Sequence, residues 1–207
     1  DGETLQVGDV TVKLVPAGHV LGSAQVVIEW RGRRAVISGD YKRSADPTNP
    51  SFELVPCDLF VTEATFALPV FSHGDARGEV AKLLRSLKQF PERAHVVGVY
   101  GLGKCQRLIA LLREAGYAEP IYLHGALAGC CEVYESFGVE LGAFFENWLA
   151  TLYRRAQDDR ELTHMLAFPA VHLPRGELAG LLRYGVRVHF GDADGAIDCR
   201  AVAGQWK

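Results

Sequence analysis

One histidine and two carboxylates carry the chemistry that can be read from this 207-residue chain. His19 stands in the run Pro16-Ala17-Gly18-His19-Val20-Leu21-Gly22-Ser23-Ala24. Small residues on both sides let the backbone pack tightly while the imidazole projects from a fixed position. A metal ligand needs that rigidity, although a structural histidine in a strand-connecting loop fits the same pattern. Asp40 follows Ser38-Gly39, where glycine frees the backbone to turn the carboxylate off the strand axis. Divalent cations favour carboxylate oxygens, and one carboxylate can bridge two metals; a Gly-Asp pair at a strand end also makes an ordinary turn or cap. Glu63 follows the apolar run Asp58–Thr62. Ligands gather outside the carboxyl ends of strands in open α/β sheets, and a carboxylate there costs desolvation unless it is paired. An imidazole and two carboxylates, each at the end of its own short strand, make a coherent set for holding a divalent cation.

The elements that must position them are legible in the spacing. Val10, Val12 and Leu14 alternate with polar residues, which predicts a strand broken at Pro16-Ala17-Gly18. Ala24–Trp30 and Ala35–Ile37 predict a hairpin around Arg31-Gly32-Arg33. The short run Asp58–Thr62 predicts a strand buried on both faces. Beyond Gly74 the texture changes to strand–helix alternation: helices over Gly74–Phe90, Lys104–Ala115 and Ala126–Phe137, with strands at His95–Val99 and Pro120–Leu123. This order predicts an α/β layer with parallel strands. Phe144–Ala156 and Gly176–Tyr184 read as helices, and Val186–Phe190 and Ala196–Val202 as strands. The texture places one boundary near Phe66–Gly74 and a softer one near Gly142.

The segments AGHVLGSAQ, SGDYKR and VPCDLFVTEATF resemble successive motifs of the metallo-β-lactamase-fold nucleases of the β-CASP branch. Within that branch they are most similar to ligase-associated DNA exonucleases, which are often labelled mRNA 3′-end processing factors. GVYGLGKCQRLIALLREAGY and PIYLHGAL extend the likeness over residues 7 to 142. The resemblance implies an α/β chain with part of a metallo-β-lactamase ββ-sandwich in residues 1–66. A β-CASP-type α/β insertion would follow in 67–142, with an unassigned tail in 143–207. It implies a metal ligand at His19 and a metal-bridging carboxylate at Asp40. Glu63 would orient a metal-binding histidine, so the catalytic pair would be Asp40 and Glu63. The implied activity is phosphodiester hydrolysis on two zinc or manganese ions, as an exonuclease on single-stranded DNA or in RNA processing, in a DNA-repair or RNA-maturation setting. The implied partners are the nucleic acid, a DNA ligase and a helicase.

The family's H-x-H-x-D-H signature and its late H-A-D and T-H-G motifs do not occur in these 207 residues. His164, His172 and His189 lack the neighbours that would give them those roles. Two donors leave most of a zinc or manganese coordination sphere to water, so this chain alone is expected to bind metal weakly or not at all and to be inactive.

Two readings from other classes compete. Gly98-Val99-Tyr100-Gly101-Leu102-Gly103-Lys104-Cys105 nearly spells a phosphate loop, but Cys105 stands where a hydroxyl must hold Mg²⁺. A non-catalytic relative that binds nucleic acid or protein is the other. Arg31, Arg33, Arg34, Lys42 and Arg43 flank the candidate ligands in sequence, and with Lys104 at a helix start they are the candidate phosphate-backbone contacts; a solvated hairpin turn explains the arginines as well. Asp192-Ala193-Asp194-Gly195 lacks the glutamate of a calcium loop and reads as a turn.

Composition bounds all of this. Hydrophobic residues make up 48% and charged residues 23%, the profile of a folded chain rather than a disordered or collagen-like one. The net charge of -3 excludes a polycation, so nucleic-acid binding must come from a local patch. No apolar run approaches the ~20 residues that span a bilayer, and no basic-then-apolar leader opens the sequence; the expectation is a cytoplasmic protein away from membranes. Five cysteines without a C-x-x-C pair predict reduced, mostly buried thiols rather than disulfides or a zinc knuckle.

Overall fold

The computed structural model describes residues 2–65, 67–68, 70, 74–91, 95–145, 165–169, 187–191 and 197–198. The chain divides into two compact units, Asp1–Ser72 and His73–Lys207.

The first unit is a five-stranded sheet in the order β1-β2-β3-β4-β5. Strands β1 (Thr4–Val7), β2 (Val10–Pro16), β3 (Ala24–Trp30) and β4 (Arg33–Ile37) form an antiparallel meander. β5 (Leu59–Val61) then joins β4 in parallel. The β3–β4 turn has positive φ at both central residues, 47° at Arg31 and 74° at Gly32. That matches the twist a two-residue hairpin needs, and Arg31 accepts a conformation usually left to Asn or Gly. Its guanidinium lies over the Trp30 ring, 4.4 Å from the centroid. Val15, Val27 and Val36 make the buried cluster of this unit, with Val55 packed against it. Buried among them is Gln25, whose amide donates to the carbonyls of Pro16 (3.0 Å) and Glu53 (2.7 Å). β1 alternates polar and apolar residues over only four positions, too short a run to single out, and all four are exposed.

A parallel neighbour cannot be reached by a tight turn, so residues 38–58 cross over as an irregular loop between β4 and β5. The expectation that Asp58–Thr62 is buried on both faces is corrected. Leu59, Phe60 and Val61 are 57%, 43% and 48% exposed. The physical reason is that the described residues of this unit include no helix to cover the faces of β5, which also has β4 as its one strand neighbour among them.

The second unit is a six-stranded sheet in the order β11-β10-β6-β9-β7-β8. Its strands are β6 (His95–Val99), β7 (Ile121–Leu123), β8 (Phe144–Phe145), β9 (Met165–Pro169), β10 (Arg187–Gly191) and β11 (Ile197–Asp198). All pairings are parallel except β10–β11. Helices α1 (Ala76–Gln89), α2 (Lys104–Glu114) and α3 (Gly125–Ser136) follow the predicted positions to within two residues at each end. Asp75 caps α1 by accepting from the amides of Arg77 and Gly78. The apolar stripe buries Val80 and Leu83 of α1 and Leu108, Ile109 and Leu112 of α2, as the 3.6-residue period requires. Every residue of β6 is buried. Phe144 and Phe145, expected to begin a helix, instead pair in parallel with Ile121 and Tyr122. The Phe145 ring lies 5.7 Å from that of Tyr122, a cross-strand aromatic contact that a helical reading forgoes. Residues 146–156, Gly176–Tyr184 and 199–202 lie outside the described residues. No helix among the described residues is long and apolar enough to cross a membrane.

Candidate metal centre

His19 owes its position to the loop between β2 and β3. The Ser23 hydroxyl accepts from the amides of His19 (3.0 Å) and Val20 (3.1 Å), closing the turn. Ala17 and Ser23 continue the ladder at 3.0 Å. Gly18 has φ +71°, and a Cβ there would overlap the Lys42 carbonyl and the Phe52 amide of the crossover loop. Glycine is therefore required on two counts, backbone conformation and close approach.

Asp40 and Glu63 are brought together by the parallel pairing of β4 with β5. Ile37 stands opposite Val61, and the Ser38 amide donates to the Val61 carbonyl at 2.9 Å. Just beyond, the Ser38 hydroxyl lies 3.2 Å from that of Thr62. The two carboxylates thus leave the same end of the sheet within a few residues of this link. Asp40 Oδ2 lies 3.9 Å from His19 Nε2, with the imidazole 43% and the carboxylate 75% exposed. Glu63 Oε2 accepts from the Thr65 amide at 2.6 Å. That bond, then the Thr65 hydroxyl and the nearby His19 ring, hold the Glu63 carboxyl below its ordinary range. His19 and Asp40 therefore meet at one rim, and Glu63 follows the strand paired beside β4 at that end of the sheet. The residues that arrange them, Ser23, Ser38, Thr62 and Thr65, were not singled out in the sequence; each is a short hydroxyl within four positions of a candidate ligand, the available signal for a local side-chain-to-backbone bond.

The 3.9 Å separation of an imidazole nitrogen and a carboxylate oxygen lies within the span of two ligands on one divalent ion at about 2.0–2.2 Å each. Among the described residues, no group of three or more His, Cys, Asp or Glu side chains has the geometry of a metal site. An imidazole and a carboxylate are donors of the kinds that divalent cations take.

The basic residues fall in three places. Arg31, Arg33 and Arg34 are at the far tip of the β3–β4 hairpin, separated from the His19 and Asp40 end by the 7 residues of β3, about 20 Å at ~3.3 Å per residue. Arg33 pairs with Asp58 at 3.2 Å, and Arg34 with Glu29 at 2.5 Å. The Asp58 carboxyl is held low by the Arg34 amide and then by the Arg33 side chain. Lys42 is beside the site but turns inward to pair with Asp46, whose side chain is only 3% exposed. Burial alone would raise the Asp46 pKa, but hydrogen bonds from Lys42 and from the Thr48 amide and hydroxyl outweigh it and hold the carboxyl low. Arg43 is exposed near the rim. Lys104 belongs to the second unit, its ammonium 4.9 Å from the centroid of the Tyr100 ring. Within the first unit the structure thus brings His19 and Asp40 together and keeps Arg31, Arg33 and Arg34 at the other end of the hairpin.

The phosphate-loop reading meets a physical obstacle in the same segment. Gly103, at φ +84°, precedes α2, and its amide is capped by Gln106 Oε1 at 2.8 Å. The Cys105 side chain is fully buried, so it does not face a phosphate at the loop mouth.

No protein-family model matches the chain. It is 29% identical over 170 residues to the endoribonuclease YSH1 of Gibberella zeae, covering 76% of this chain and 20% of that protein. It is 33% identical over 164 residues to a probable DNA ligase of Opitutus terrae, 73% of this chain and 15% of that protein. It is 30% identical over 131 residues to cleavage and polyadenylation specificity factor 73 of Drosophila melanogaster, 58% of this chain and 19% of that protein. The chain spans a fifth or less of the length of these relatives.

Proposed function

We propose that this chain, a homologue of the Ysh1 and CPSF73 nucleases of the β-CASP metallo-β-lactamase family, forms part of a metal-dependent enzyme that hydrolyses phosphodiester bonds in single-stranded nucleic acid. The observation that carries the reading is the approach of His19 Nε2 to Asp40 Oδ2 at 3.9 Å. Residues 1–66 are read as part of the metallo-β-lactamase domain and 67–142 as part of the β-CASP cap. Residues 143–207 are left unassigned.

His19 and Asp40 would hold the metal, zinc or manganese, with Asp40 placed to bridge two ions. Bound divalent ions supply a hydroxide nucleophile at neutral pH and neutralise charge on the phosphoryl oxygens. Glu63, kept ionised by Thr65, stands as an acceptor that fixes the orientation of a ligand imidazole, the role carboxylates take behind metal-bound histidines. Arg43 at the rim is placed for the phosphate backbone. Lys42 supports the loop rather than the substrate. The named activities of the relatives favour RNA as a substrate, and the likeness to a ligase favours DNA with a ligase as partner. Oligonucleotides of both sugars therefore belong in any activity assay of the whole enzyme.

Mn²⁺ titration of the chain, followed by paramagnetic broadening of amide signals, tests the reading. Broadening confined to residues 18–20, 39–41 and 62–65, and lost in His19→Ala and Asp40→Ala, is the expected result. Broadening centred on other residues, or unchanged in both variants, would overturn it.

A further inference from the structure

In the loop that leaves β6, the backbone bonds inward and apolar side chains face out. The Tyr100 carbonyl accepts from the Cys105 amide, and the Leu102 carbonyl from the Lys104 amide, each at 3.1 Å. Gln106, fully buried, accepts from the Gly103 amide at 2.8 Å and donates to the Gly101 carbonyl at 2.9 Å. A Cβ on Gly101 would come within 3.3 Å of Leu127 Cδ2 in α3, so the loop lies close against that helix. Gly103, at φ +84°, makes the turn into α2. On this braced frame Tyr100 is 49% and Leu102 58% exposed. The Lys104 ammonium stands 4.9 Å from the centroid of the Tyr100 ring, so a face of that ring, and not its edge alone, is open to a partner. Single exposed apolar residues are ordinary. An aromatic ring, a neighbouring leucine and a cation on one rigid loop form a composite surface.

The place of the loop in the sheet gives that surface a use. β6, β9 and β7 run parallel, so their carboxyl ends lie on one side. From β6 the chain passes to β7, on the β9 side; from β9 it passes to β10, on the other side of β6. Strand order therefore reverses between the neighbours β6 and β9, and open parallel sheets bind ligands in the crevice outside such a reversal. Tyr100 is the first residue beyond β6 at that point.

We propose that Tyr100 is a stacking platform for one base of a single-stranded nucleic acid, with Lys104 beside it for the adjoining phosphate. The class of ligand rests on the nuclease reading; the contact itself needs no metal. Every base has a flat face to lay on an aromatic ring, and a nearby cation neutralises the backbone that carries it. Because the loop is already fixed, the ring binds without the ordering cost of a mobile one.

The test uses the full chain in EDTA, where no metal-dependent cleavage intervenes. Two fluorescent probes are compared by anisotropy, hexathymidylate and an abasic hexamer with the same phosphates. Tyr100→Ala should weaken binding of hexathymidylate by roughly 5- to 100-fold while leaving the abasic hexamer unchanged, and Tyr100→Phe should retain most of the preference for bases. Lys104→Gln should weaken both probes alike and lower the slope of log K against log salt by about 0.7. Irradiating the wild-type complex with a hexamer carrying 5-iodouracil should join a base to Tyr100, mapped by peptide mass. A cross-link only at other residues, no preference for bases over the abasic backbone, or no binding of either probe overturns the inference; the cross-link needs no variant and so decides even if Tyr100→Ala fails to fold. Any of these results with Mn²⁺ broadening at residues 18–20 intact leaves the nuclease reading standing, whereas loss of that reading with the cross-link intact leaves Tyr100 as a metal-independent contact of the second unit.

Discussion

Strands β5 and β6 are both short, apolar and paired in parallel, yet they live in opposite surroundings. β6 has β10 and β9 on its two sides, and all five of its residues are buried. β5 has β4 on one side, and all three of its residues are exposed. An apolar run therefore reports the burial a strand is able to use, while its place in the sheet decides the burial it gets. The chemistry follows the same division. The His19, Asp40 and Glu63 group grows from the exposed end of the first sheet, where side chains are open to solvent and ligand. The polar residues His95 and Gln106, by contrast, are enclosed within the second unit.

The largest expected effect breaks or upholds this contrast directly. Val97→Asp would bury an unpaired carboxylate in β6 and should cost more than about 3 kcal/mol in denaturant unfolding. Leu59→Asp in β5, at a position 57% exposed, should cost about 1 kcal/mol or less. Equal losses at the two positions would mean that β5 is covered in solution, and the contrast would fail.

How much of this was legible in the sequence follows from the same physics. Helices α1 to α3 were readable because Val80, Leu83, Leu108, Ile109 and Leu112 repeat at the spacing of one buried face. β3 was read to the residue, since Ala24–Trp30 ends at a two-residue turn whose glycine marks it. β9 gave no signal distinct from its neighbours, and β8 was masked by a helical-looking context, since a two-residue strand exists only through its partner. Of the candidate site, the residue types and their place at strand ends were legible. The inward turn of Lys42 and the distance of the Arg31–Arg34 tip were not. Nearness in sequence brings no nearness in space when a seven-residue strand separates two turns.

Two substitutions sharpen the contrast within the first unit, where a polar network replaces apolar packing. Gly18→Ala would place a methyl against the Lys42 carbonyl and the Phe52 amide at a positive φ. A loss of about 2–3 kcal/mol is expected, with chemical-shift changes at His19 as the second readout. Asp46→Asn should cost somewhat less, about 1–3 kcal/mol, by weakening the pairing with Lys42 and Thr48. The sign with pH is set by the lowered Asp46 pKa. The wild-type advantage is fully present above the ordinary value of 3.8 and is lost as the pH falls through the lower folded value. Unfolding free energies of the two proteins, measured from neutral pH to pH 2, should converge at the acid end; a gap that stays constant would assign the loss to packing.

The smallest effect is expected at the hairpin tip. Arg33 and Asp58 pair at 3.2 Å with the arginine side chain 78% exposed. Such a pair gains little in water and is screened by salt, so Arg33→Ala should cost about 0.2–1 kcal/mol at most. Asp58 keeps its bond from the Arg34 amide at 2.8 Å, which limits the loss further. The same variant separates the tip from the rim in function. About 20 Å from His19 at ~3.3 Å per residue, Arg33 should leave Mn²⁺-induced broadening at residues 18–20 unchanged. If it nevertheless lowers the salt dependence of single-stranded DNA or RNA binding, the exposed tip is a second contact for the phosphate backbone. If binding and its salt slope are untouched, the arginines of the turn serve the hairpin alone, and the polar chemistry of the first sheet is confined to the end that carries His19 and Asp40.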